Sequence, residues 1–123
     1  MSEILCSKSH EFVYEKNGFY YIGVTDVLLN KLGKIEVVQL PVIGEEYAKG
    51  EIFGFIEAEN AASEMFMPIT GRIEAVNDML LNNPNKLNEL SSYDIWLIKT
   101  SSEYFNEDKK DLICYNKYKD ENL

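Results

Sequence analysis

Few side chains in this chain have the types and spacing that chemistry needs. His10 is the only histidine, and with no second imidazole or cysteine beside it, metal binding and acid–base catalysis are disfavoured. A packing role, or a hydrogen bond to backbone, is the expectation for it. Cys6 and Cys114 sit near opposite ends, outside any Cys-x-x-Cys or Cys/His pattern, and read as ordinary reduced thiols. A disulfide between them is possible in principle but not indicated. Ser9-x-Glu11 offers a hydroxyl and a carboxylate two residues apart, a pattern that by itself describes a turn with a surface acid. No Ser/His/Asp set, metal cluster or phosphate-cradling glycine loop can be assembled, so an enzyme acting alone is the least favoured class.

Composition narrows the partners. The chain has 123 residues, long enough for one domain spanning 1–123 with a core that needs no staples. Twelve Lys and Arg against 21 Asp and Glu give a net charge of −9, which repels nucleic acid and anionic lipid. The eight tyrosines are therefore assigned to core and surface rather than to base stacking. No apolar run approaches the roughly 20 residues of a membrane span. The N-terminal residues lack the features of a secretory or transit sequence, and the expectation is a cytoplasmic protein with no membrane contact.

The elements that must position these residues are mostly short strands between glycine turns. Phe19 to Val24 is rich in aromatic and β-branched residues and predicts a strand. Thr25-Asp26 supplies an N-cap, Val27, Leu28, Leu29 and Leu32 follow at helical spacing, and Gly33 ends a short helix near 25–32. Further strands are predicted over Ile35–Leu40, over Ile52–Ile56, either buried on both faces or bulged at Gly54, over Arg72–Val76, and over Ile95–Lys99. Glu57 to Asn60 is a polar turn, from which the chain re-enters the body through Met65–Ile69. One helical turn is expected over Asn77–Leu81. A C-terminal helical segment is expected from Ser101 or Ser102 to Tyr118, with Lys119–Leu123 fraying.

Five stretches, in order and in register, resemble the glycine cleavage H protein family. They are Ser9-His10-Glu11-Phe12, where the family has Ser-His-Glu-Trp; Gly23-Val24-Thr25-Asp26 with Leu32-Gly33-Lys34-Ile35 and Gln39-Leu40-Pro41; Glu57-Ala58-Glu59-Asn60-Ala61-Ala62-Ser63; Met67-Pro68-Ile69-Thr70-Gly71 through Val76-Asn77; and Asn83 to Asn88 with Trp96-Leu97-Ile98-Lys99. The resemblance implies a mainly β barrel-sandwich hybrid of the lipoyl- and biotinyl-carrier type. It also implies a lipoyl attachment site at the tip of the hairpin preceding Ala61-Ala62-Ser63, flanked by Glu57. In that family a lysine at the tip is amide-linked to lipoate, and the arm carries an aminomethyl group from decarboxylase to aminomethyltransferase.

Asn60 stands at that position. A carboxamide nitrogen, delocalised into its carbonyl, is no acyl acceptor, and no lysine lies between Lys49 and Lys86. Arg72 is a permanently protonated guanidinium. Lys49, Lys86 and Lys99 read as solvated turn or strand-end charges. By resemblance, Ser9 and Glu11 line the cleft that shelters the loaded arm, where a carboxylate would stabilise an ammonium. Phe12 keeps an aromatic anchor without the indole donor of tryptophan.

The leading expectation is a non-lipoylated binding or regulatory homologue with no cofactor of its own. Its partners would be the decarboxylase, aminomethyltransferase or dihydrolipoyl dehydrogenase of glycine cleavage, or a lipoate ligase. Two alternatives stand beside it: a genuine lipoyl carrier whose residue 60 was substituted in cloning or by variation, and a diverged β-rich interaction module.

Overall fold

A computed structural model describes residues 2–89 and 95–123. Among these residues ten strands form two antiparallel sheets. The larger sheet has seven strands in the order β10 (Ile113–Cys114), β1 (Leu5–Cys6), β2 (Glu11–Lys16), β3 (Phe19–Val24), β9 (Ile98–Ser101), β8 (Gly71–Val76) and β5 (Glu46–Tyr47). The smaller has three, in the order β4 (Ile35–Gln39), β6 (Ile52–Ala58) and β7 (Ala62–Phe66). The inner faces of both sheets supply one buried cluster, including Val13, Ile22 and Ile73 from the larger and Val38, Ile56 and Met65 from the smaller. Fold class and barrel-sandwich architecture therefore agree with the expectation. No helix among the described residues is long and apolar enough to cross a membrane.

Local chemistry explains the elements that frame the site. Helix α1 (Asp26–Leu32) starts where Thr25 turns its hydroxyl to the Leu28 amide, and it ends at Gly33, whose N–H bonds the Leu29 carbonyl. Its apolar face, Leu28, Leu29 and Leu32, closes the barrel. The β6–β7 ladder is irregular between Ile52 and Gly54, and on the other side of Gly54 a Cβ would meet the Gln39 carbonyl oxygen of β4 at 2.3 Å. Glycine is what lets β4 lie this close.

Four sequence expectations about the elements need correction. The final strand begins at Ile98 rather than Ile95, because the Asn77 side chain takes the Trp96 carbonyl (2.8 Å) ahead of the regular ladder. The helical turn near 77–81 is α2, Met79–Asn82. The C-terminal segment is not one helix but α3 (Phe105–Asp108), a 3-10 turn (Lys109–Asp111), β10 and α4 (Tyr115–Glu121). Ile113 and Cys114 satisfy their backbone groups on β1, which interrupts the helix. Nor does the chain fray from Lys119: its ammonium holds Asp26 at 2.6 Å, and the Asn122 side chain donates to the Tyr118 carbonyl.

Candidate functional site

Strands β6 and β7 form the hairpin that the sequence placed between Glu57 and Ser63. Glu57 faces Ala62 across the ladder, the Ala58 amide donates to the Ala61 carbonyl (3.0 Å), and Glu59-Asn60 make the turn. Among the described residues, the non-glycine positions with positive φ are His10 and Asn17, so the tip requires no unusual backbone at Asn60. Glu57, Glu59, Asn60, Ala61 and Ala62 are exposed, and Ser63 is half-buried.

The tip rests on the loop between α1 and β4. The Glu59 amide donates to the Lys34 carbonyl (3.0 Å), the Asn60 amide to the Leu32 carbonyl (3.1 Å), and Glu59 Oε1 accepts from the Lys34 amide (3.2 Å). Gly33, at φ 81°, sits under the tip, where a Cβ would approach Asn60 Nδ2 and Glu59 Oε1 to 2.9 Å. Asn88 fixes this loop from the other side: its Nδ2 donates to the Gly33 carbonyl (3.0 Å) and its Oδ1 accepts from the Ile35 amide (2.9 Å). Neither Glu59 nor Asn88 was singled out from sequence as a support. A polar side chain that bonds backbone across 53 or 55 positions leaves no local pattern.

A second site lies about Glu11. The reading of Ser9-x-Glu11 as a turn with a surface acid is overturned: Glu11 opens β2 and is 0% exposed. Its Oε1 accepts from Ser9 and from Ser7 (2.8 Å), and its Oε2 from the Phe66 amide (3.2 Å). Burial raises the carboxyl pKa, while the two hydroxyls and the amide pull it back down. Ser7 was missed, although Ser7, Ser9 and Glu11 fall on a two-residue period. Both serines line an open cleft of about 480 Å³, together with Lys8, Lys49, Met67 and Leu112. Through Phe66, Glu11 grips the end of β7 remote from the tip. The six steps from Asn60 to Phe66 span roughly 20 Å of extended chain. The structure thus brings Ser9 and Glu11 together, and sets them apart from Asn60 along one strand.

The other singled-out residues are also placed. Lys49 is not a free turn lysine: its ammonium pairs with Asp111 and reaches the Asp108 carbonyl at 3.3 Å, tying the C-terminal segment over the cleft. Lys86 pairs with Glu89 (3.1 Å), and Lys99 lies over the Phe19 ring, 4.2 Å from its centroid. His10 finds a side chain rather than backbone, its Nδ1 2.6 Å from the Tyr118 hydroxyl, which also meets Thr25 Oγ1 at 2.6 Å. Burial, and secondarily Lys31, lowers the His10 pKa and favours the neutral ring. Phe12 is fully buried against Gly23. Cys6 is buried, with its thiol pKa pushed up to about 12 by desolvation, and both cysteines are free.

A hairpin tip clamped on a glycine loop, and one strand joining it to a buried carboxylate, can be compared with known proteins. Residues 4–122 match the family described as Glycine cleavage H-protein. The glycine cleavage system H protein of Listeria monocytogenes serotype 4b (strain CLIP80459) is 36% identical over 117 residues, covering 94% of this chain and 92% of that one. The probable glycine cleavage system H protein of Pyrococcus abyssi (strain GE5 / Orsay) is 34% identical over 113 residues, covering 91% and 84%. A crystal structure of a glycine cleavage system H protein from Mycobacterium marinum shares the fold, with a TM-score of 0.85 at 23% identity over 99% of this chain and 98% of that one. The chain belongs to the glycine cleavage H-protein family, whose members are lipoyl carriers rather than enzymes.

Proposed function

We infer that this chain is a cytoplasmic, single-domain member of the family that carries no lipoate and acts by binding. It would engage the decarboxylase, aminomethyltransferase or dihydrolipoyl dehydrogenase of glycine cleavage, or a lipoate ligase, as a regulator, decoy or scaffold. The observation that carries the reading is the hairpin tip: Glu57, Ala61, Ala62 and Ser63 keep the matching identities and a regular ladder, while Asn60 offers a carboxamide where amide formation needs an amine. The tip therefore does not fit covalent lipoate, and no carrier step is assigned to it. Ser9 is read as part of the remaining wall of the arm cleft, with the Glu11 carboxylate buried behind it and held by the Ser7 and Ser9 hydroxyls.

Intact-mass measurement after incubation with lipoate ligase, ATP and lipoate tests this reading. The unsubstituted chain is expected to gain no lipoyl mass, and Asn60→Lys is expected to gain one lipoyl group, because the tip needs no unusual backbone at position 60. Lipoyl mass on the unsubstituted chain would overturn the reading. Lys34, whose backbone is bonded to Glu59, is then the first amine to map. A lysine variant that stays unmodified would show that the ligase no longer reads this tip.

A further inference from the structure

The outer face of the three-stranded sheet has no covering element among the described residues. The ladder sets Gln39, Phe55 and Glu64 in one row, and Val37, Glu57 and Ala62 in the next toward the tip. Phe55 is 45% exposed, and Val37 and Ile52 are each 38% exposed, so three large apolar side chains stand in water on one face. Ile52 faces half-buried Phe66 at the far end. Exposed apolar side chains gathered on one uncovered face, here interleaved with Gln39, Glu57 and Glu64, form a surface that a partner dehydrates.

Charge selects the partner. None of β4, β6 and β7 contains Lys or Arg, and their charged residues are Glu36, Glu57 and Glu64. Exposed Glu57 and Glu64 flank Phe55 and face no cation within the sheet. A second copy docked here about a two-fold axis would set like charges together on a chain already at −9, which disfavours self-association. A complementary surface instead presents an apolar side chain to Phe55, with lysine or arginine toward Glu57 and Glu64.

Resting on the reading that the chain binds a glycine-cleavage enzyme, we propose that this sheet face, continuous with the Asn60 tip, is its docking surface for a basic, apolar-centred site on that enzyme. Phe55 is the anchor, and the two glutamates set orientation and encounter rate. The face runs along the strands toward the tip, so a partner that reads Asn60 contacts both without any rearrangement of the chain.

The test uses the full chain and purified aminomethyltransferase and decarboxylase, with binding measured by interferometry at low and high salt. Phe55→Ser should weaken binding about tenfold or more, as truncating an interface anchor does. The pair Glu57→Lys/Glu64→Lys should weaken it at least as much and flatten its salt dependence. The pair Glu103→Lys/Glu121→Lys lies outside this sheet and makes the same change, two reversals taking the net charge from −9 to −5. It should stay within about threefold of the unsubstituted chain, since rim and remote charges act weakly at physiological salt. All three variants alter exposed side chains, and unchanged thermal unfolding verifies their folds. Equal losses in both double variants, or no loss with Phe55→Ser, would overturn the proposal. A dimer in sedimentation that the Phe55 change dissolves would assign the face to a second copy and overturn it too. Binding by neither enzyme, nor by dihydrolipoyl dehydrogenase or lipoate ligase in the same assay, would instead refute the functional reading, and the docking surface with it.

Discussion

Glu11 shows how one side chain can be misread from its neighbours and then explained by them. Ser-His-Glu is a polar tripeptide, and polarity near a chain end argues for solvent. Yet β2 places Glu11 on the inward side with Val13, and the cost of burying the acid is offset by Ser7, Ser9 and the Phe66 amide. A folded-state pKa above the unfolded value favours the protonated acid in the fold. The associated stability is fully present below the unfolded pKa and is lost as pH rises through the folded one. Glu11→Gln should remove this falling limb, and urea unfolding from pH 4 to pH 8 measures it as a flatter profile than that of the parent. A steeper decline in the variant would mean that the three donors outweigh burial. The opposite lesson comes from Asn60, whose chemistry was legible because a carboxamide is no amine in any fold. What stayed hidden there was the support, since Asn88 and Glu59 act on the tip through backbone atoms far off in sequence.

Among the elements, helix α1 and the β6–β7 hairpin were read correctly from local signals. Helix α1 has its cap, its apolar spacing and its terminal glycine within nine residues, and the structure matches it from Thr25 to Gly33. The β6–β7 hairpin was legible as two apolar runs about a polar turn. The C-terminal segment was not, because Ile113 and Cys114 are diverted by pairing with β1, more than 100 positions away. Such pairing overrides local propensity. The hairpin's own anchorage belongs to this scale. Asn88 makes two hydrogen bonds to the loop under the tip, so Asn88→Ala should release that loop while leaving both ladders of the small sheet intact. The expected reading is faster hydrogen exchange at the Glu59 and Asn60 amides, by about tenfold for a local loss of about 1.4 kcal/mol, within the range for two hydrogen bonds. Equal acceleration across β6 and β7 would show general destabilisation instead.

At the scale of the whole molecule, the larger sheet has two working faces. One faces the barrel interior, while the other carries Cys6, Phe12 and Tyr14, which α4 seals with Tyr118. Tyr118 reaches Thr25 at the start of α1, and Lys119 reaches Asp26, so the C-terminal helix joins the sheet to the helix that leads to the tip. Deleting residues 115–123 should therefore lower unfolding stability by about 3 kcal/mol or more, the scale of losing one large buried aromatic. Thermal unfolding measures this, and a change under about 1 kcal/mol would mean that α4 only decorates the sheet. The backbone at the Glu59-Asn60 turn carries a consequence of another kind. Because Asn60 is exposed and the tip needs no unusual φ, lysine requires no second change to be accommodated. Asparagine and lysine codons differ only in the third base. A population holding this gene is thus one point mutation from testing a lysine at the tip, and lineages can cross between the two states in either direction without passing through an unfolded protein.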